Sequence, residues 1–152
     1  MKLIFVAGHI NPEFGYQDFY LPLYVSRLGH KVRIITSNAI PISAKDIRKT
    51  KFEIGLSKID NDNLEILRLD TFFELGGTVF SKGVKNEVFK YNPDVVVILG
   101  LGKIFGIDIF TNSIYSKFKV ASFFGDNIDQ KPNPNIIKYI LSTQLKKITY
   151  NL

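Results

Sequence analysis

From the N-terminus, residues 2–7 (Lys-Leu-Ile-Phe-Val-Ala) form a short, almost wholly apolar run, the pattern of a strand covered on both faces, as in parallel sheets. Gly8, Asn11, Pro12 and Gly15 punctuate the segment that follows, which reads as a loop. Over residues 17–28 the apolar positions Tyr20, Leu21, Tyr24, Val25 and Leu28 recur at three and four, a helical stripe stopped by Gly29. Pro22 inside that stripe reads as a late helix start. Residues 31–36 (Lys-Val-Arg-Ile-Ile-Thr) supply the next strand. The opening is therefore strand, helix, strand with short links, the signature of a right-handed parallel unit.

Residues 38–59 are rich in Lys, Ser and Ile without a clear period and read as a long excursion. Within and after it, residues 56–59 and 64–69 flank Asp60-Asn61-Asp62-Asn63, a turn composition that predicts a hairpin or strand pair. Residues 79–91 carry Val79, Phe80, Val84, Val88 and Phe89 with Lys82, Lys85 and Lys90 between them, which predicts an amphipathic helix ended by Asn92-Pro93. Residues 94–99 form another strand covered on both faces. Residues 103–115 predict a helix, 119–124 a strand, 134–147 a helix with proline in its first turn, and 148–152 have strand composition. Alternating helices and doubly covered strands predict an α/β fold, a doubly wound, Rossmann-like, mostly parallel sheet with helices on both faces.

At 152 residues the chain is expected to be one domain, 1–152. A hydrophobic content of 45%, with 13 Phe and 7 Tyr, is ample for a core and excludes intrinsic disorder. The absence of cysteine removes disulfides, thiolate nucleophiles and cysteine zinc sites, and fits a reducing, cytosolic compartment. The apolar run at the N-terminus is shorter than the roughly 7 to 15 residues of a signal-peptide core, and no stretch approaches the roughly 20 residues of a membrane-spanning helix. Twenty Lys and Arg against 14 Asp and Glu give a net charge of +6, which permits phosphate-rich ligands or anionic lipid as partners. After Asp129 only basic side chains follow (Lys131, Lys138, Lys146, Lys147), either a solvated helix face or a lipid-facing patch. No nucleic-acid recognition helix or aromatic strand motif accompanies them.

Ligands of such sheets bind outside the carboxyl ends of the strands, so the residues that directly follow each strand are the candidates. After the first come Gly8, His9, Asn11, Glu13 and Gly15; after the second, Ser37 and Asn38; later, Gly100, Gly102 and Lys103, then Gly125, Asp126 and Asn127. Glycine beside a helix N-terminus lets backbone N–H groups approach a phosphate. Gly100-Leu101-Gly102 has two glycines of a dinucleotide fingerprint, but the third falls one position late at Gly106, and a tight turn explains the pair as well. A Gly-x-x-x-x-Gly-Lys-Ser/Thr loop is absent, and two histidines without cysteine cannot build a histidine metal cluster. His30 beside Gly29 reads as a helix stop. His9 is either a sugar-binding group or base, or a plain loop histidine; Asp126 with Asn127 is either a sugar acceptor of hydrogen bonds or a turn. Of the aromatic series Phe14, Tyr16, Phe19, Tyr20 and Tyr24, Tyr16 and Phe19 are the better candidates to stack on a sugar or lipid.

The series Asn11-Pro12-Glu13-Phe14-Gly15-Tyr16-Gln17-Asp18, followed by Arg27-Leu28-Gly29-His30-Lys31-Val32-Arg33-Ile34-Ile35-Thr36-Ser37, closely resembles the start of glycosyltransferase family four, whose fold is GT-B. Pro93-Asp94-Val95-Val96-Val97 also looks like that family's fourth strand. The resemblance is strongest over the first 37 residues and implies the N-terminal of two lobes. Such enzymes move a sugar from a nucleotide-sugar donor to an acceptor with retention, usually without a metal, in the cleft between the lobes. The resemblance gives Gly15, with Tyr16 and Gln17, the loop near the donor's pyrophosphate, and gives the lobe the acceptor. From their places at the sheet edge and in the aromatic series, Glu13, Phe19, Asn127 and Lys103 are the candidate acceptor contacts and His9 and Asp126 the candidate catalytic groups, His9 inheriting nothing from the family. Many relatives carry a histidine after the fifth strand, where Phe123-Phe124-Gly125-Asp126-Asn127 has none.

The expectation is thus an acceptor-side lobe of a retaining glycosyltransferase of polysaccharide or glycolipid synthesis, cytoplasmic or peripheral at the inner membrane face. Its donor-binding lobe is expected in the same or another chain, the sequence being read as a fragment or split half. The expected partners are a nucleotide sugar as co-substrate, a glycan or lipid-linked acceptor and anionic membrane, with no metal, no covalently bound cofactor and no nucleic acid. The rival readings are a stand-alone binding subunit of a split transferase and a small nucleotide-binding Rossmann protein.

Overall fold

A computed structural model describes residues 1–14, 17–40, 51–59, 61–75, 78–99 and 117–123. The predicted helices over 103–115 and 134–147 and the strand composition of 148–152 lie outside them. In chain order the elements are β1 (Lys2–Val6), α1 (Gln17–Arg27), β2 (Lys31–Ser37), β3 (Gly55–Ile59), β4 (Asn61–Leu69), β5 (Thr71–Leu75), β6 (Thr78–Ser81), α2 (Val84–Tyr91), β7 (Val95–Leu99) and β8 (Lys119–Phe123).

Six strands form one sheet in the order β3-β4-β2-β1-β7-β8, all neighbours parallel except the β3–β4 pair. The chain builds outward from β1 through β2 to β4, then crosses to β7 and β8 on the other side. The strand order therefore reverses between β1 and β7, and an α/β sheet opens its ligand crevice at such a point. The fold is α/β with a mostly parallel six-stranded sheet, compatible with a Rossmann-like architecture.

Alternate residues of β1 feed two cores. Leu3 and Phe5 pack with Val32, Ile34, Leu64 and Ile66 beneath Phe19 and Leu23 of α1. Ile4 and Val6 pack on the other face with Ile35, Val96 and Ile98 against Val88 of α2. This double burial explains why β1 and β7 are almost continuously apolar rather than alternating.

The buried face of α1 is Phe19, Pro22, Leu23 and Ser26, whereas Tyr20, Tyr24 and Leu28 of the predicted stripe are 43%, 58% and 76% exposed. Leu21 and Val25 pack partly against the core. Pro22 lies inside the helix and does not start it. Having no N–H, it leaves the helix one bond short, and its ring is buried where side-chain packing offsets that loss. Gly29, at φ 86°, ends the helix as predicted, its N–H bonded to Ser26 O at 3.0 Å.

The hairpin predicted around residues 60–63 forms as β3 and β4, with a register shift at Lys58/Ile59 and β4 beginning already at Asn61. The predicted helix over 79–91 is shorter: Val79 and Phe80 belong to β6, which pairs with β5 in a second hairpin that periodicity did not reveal. Gly83, at φ 85°, marks the change from strand to helix, a conformation that costs glycine little and any other residue more. No helix among the described residues is long and apolar enough to cross a membrane.

Candidate functional site

The segment leaving β1 is held residue by residue against the ends of β2 and β4. Gly8 O accepts Ser37 Oγ at 2.5 Å, Ser37 N at 3.2 Å and Thr36 Oγ1 at 3.2 Å. His9 Nδ1 lies 3.1 Å from Ala39 O. A carbonyl only accepts, so Nδ1 carries the proton. Ile10 is buried in the α1-side core, and its carbonyl accepts Arg68 Nη1 at 2.9 Å. Asn11 Oδ1 accepts Glu13 N at 3.0 Å, opening a short 3-10 turn over Pro12–Phe14.

Four consecutive residues are therefore fixed before the chain enters α1. Glu13, whose N–H is held by Asn11, and Gln17, the first residue of α1, are both exposed. Asp18 in the first turn and Arg27 in the last suit the helix dipole. The opposite side of the same edge is a shallow crevice lined by Gly8, Thr36, Ser37, Val79, Ser81 and Val84.

Ser37 and Asn38 sit at this edge, as the sequence suggests, but they bond inward. Ser37 Oγ also accepts Ala39 N at 3.3 Å. Asn38 N donates to Leu69 O at 2.9 Å, its carbonyl accepts Phe52 N at 2.8 Å, and its Oδ1 accepts Thr71 N at 3.0 Å. A chain leaving a sheet strips backbone groups of ladder partners, and these two side chains and amides satisfy them. They staple β2, β4 and β5 together.

Phe19 is corrected from ligand contact to core: it is 7% exposed and packs with Phe5, Leu23 and Ile66, so its ring faces the sheet. The structure thus brings His9, Glu13 and Gln17 to one edge. Gly15, Tyr16, Gly100, Gly102, Lys103, Gly125, Asp126 and Asn127 lie outside the described residues. Among the described residues no group of three or more His, Cys, Asp or Glu gathers to hold a metal.

Arg68 was not among the sequence candidates. It is 8% exposed at the carboxyl end of β4, 4.1 Å over the Phe52 ring, and burial pulls its guanidinium below the ordinary arginine range. The signal was its phase: Leu64, Ile66 and Arg68 alternate along the strand toward the buried face of the sheet. No family model matches the chain, and no curated protein sequence matches it.

Proposed function

We propose that this domain is the acceptor-side, N-terminal lobe of a retaining glycosyltransferase of GT-B architecture, moving a sugar from a nucleotide-sugar donor to a glycan or lipid-linked acceptor at the cytoplasmic face of a membrane. The observation that carries the reading is the pinned exit from β1. The residues resembling the family, Asn11 to Gln17, follow directly on Gly8, His9 and Ile10, which are tied to β2, to Ala39 just beyond it and to β4, beside the point where the strand order reverses. A loop whose base is held in this way has less to order on binding, which is what a transferase lobe needs to position a sugar hydroxyl.

In this reading Gly15, Tyr16 and Gln17 face the donor's pyrophosphate, Glu13 orients the acceptor, and His9 and Asp126 stand nearest the reacting groups. Backbone N–H groups and helix N-termini stabilise the departing diphosphate while the acceptor hydroxyl attacks the anomeric carbon. The donor's remaining contacts come from a second lobe, in this polypeptide or a partner, and no metal is required.

The test uses the native protein, captured from its source cells with an antibody to this domain. It is incubated with a lipid extract and a panel of radiolabelled UDP-, GDP- and dTDP-sugars. Transfer from one donor with retained anomeric configuration is expected, weakened by Glu13→Ala; failure of every donor to label any lipid or glycan overturns the reading.

A further inference from the structure

Two arginines on neighbouring strands are treated differently by the fold. Arg33 on β2 is neutralised: its Nε and Nη2 each lie 2.6 Å from Glu65 Oε1, and its guanidinium sits 4.3 Å over the Tyr91 ring. Arg68 on β4 is more deeply buried, yet among the described residues no carboxylate pairs with it. Its recorded partners are one backbone carbonyl, Ile10 O, and the face of Phe52. Burial is what lowers its pKa.

A guanidinium stays protonated in a protein and offers five N–H donors in a planar fork, so a single carbonyl leaves most of that capacity unused. Holding an unneutralised cation out of water is costly, and folds normally place a counter-charge beside it, as this one does for Arg33. The cation also stands at the carboxyl end of its strand, beside the His9-Ile10 loop, where sheets of this kind receive ligands.

We propose that Arg68 is the fixed cation of an oxyanion subsite at the carboxyl end of β4, and that the phosphate group of a ligand supplies the counter-charge that the described residues do not. The fork matches two phosphate oxygens, while Ile10 O and Phe52 hold the guanidinium in place for them. The subsite stands on the chemistry of this arginine and does not need the transferase reading. A soluble phosphate ester and a lipid phosphate headgroup present the same oxygens, so both are tested.

The intact 152-residue chain is titrated calorimetrically with inorganic pyrophosphate at constant ionic strength. In a second arm it is sedimented with phosphatidylcholine vesicles with and without phosphatidic acid. Binding in either arm is expected, the arm identifying the source of the phosphate, and Arg68→Met should weaken it by about tenfold or more. Arg68→Lys keeps the charge but loses the fork and should fall between the two. No binding in either arm, or unchanged affinity in Arg68→Met, overturns the proposal. Should Arg68→Met fail to fold, an Arg68→Lys variant that binds as tightly as the wild type overturns it equally.

Discussion

Removing the hydroxyl of Ser37 should loosen the exit from β1 by an amount the hydrogen bonds define. Ser37 is 2% exposed and makes two bonds through Oγ, donating to Gly8 O and accepting from Ala39 N. Ser37→Ala leaves Gly8 O with Ser37 N and Thr36 Oγ1, but leaves Ala39 N without its acceptor, a loss of about 1–2 kcal/mol. Thr36→Val removes one 3.2 Å bond at nearly constant volume and should cost about 1 kcal/mol or less. In the double variant Gly8 O keeps Ser37 N alone, so the combined loss should exceed the sum of the singles by about 0.5 kcal/mol or more. With a urea slope of roughly 2 kcal/mol/M, Ser37→Ala lowers the unfolding midpoint by about 0.5–1 M. Equilibrium urea unfolding followed by circular dichroism checks all three variants. Strict additivity, or a Ser37→Ala midpoint equal to the wild type, would show that these hydroxyls do not hold the loop.

The orientation of α1 predicts that Phe19→Ala costs about 3–5 kcal/mol while Tyr24→Ala costs about 1 kcal/mol or less, measured by the same unfolding experiment; the reverse order would restore the face that periodicity suggested. Burial, reinforced by Glu65 and opposed by Arg33, raises the Tyr91 phenol above the ordinary tyrosine value. The unfolded chain then loses its proton first, so stability should decline as pH rises beyond about 10, and the decline should be smaller in Tyr91→Phe. A phenol titrating at or below the ordinary value in the wild-type minus Tyr91→Phe absorbance difference would refute this.

The strands β1 and β7 were legible because each is covered on both faces, which favours a nearly continuous apolar run. The face of α1 was not, because its sequence places rings in both phases and a tyrosine tolerates water through its hydroxyl. Phe19 and Leu23 carry no polar atom and took the core. Val79 and Phe80 fit a strand and a helix equally well, and Gly83 decided between them by its positive φ, which a periodicity count does not weigh. At the carboxyl edge, the polar residues following β2 stand where the chain leaves the sheet. Ser37 and Asn38 are used up on exposed backbone groups, and the buried charge came instead from an inward position of β4.

The two ends of the sheet differ in whether their charge is answered within the fold. At the amino end Lys2 N donates to Asp94 Oδ2 at 2.7 Å, Lys2 Nζ reaches Tyr91 O at 3.3 Å, and Arg33 is paired with Glu65 beside the same tyrosine. There Glu65 answers the partly buried Arg33, and an anion arriving would have to displace it, while the exposed Lys2 Nζ meets a carbonyl and a ring. At the carboxyl end the carbonyls of Gly8, Ile10 and Ala39 are already filled by hydroxyl, guanidinium and imidazole donors, while the Arg68 charge has no counter-charge among the described residues. Among the described residues, a buried cation without a counter-charge favours an anion at that position of the edge. Substitutions in the Arg33–Glu65–Tyr91 group should therefore change stability without changing phosphate affinity, whereas substitutions at Arg68 should change affinity first.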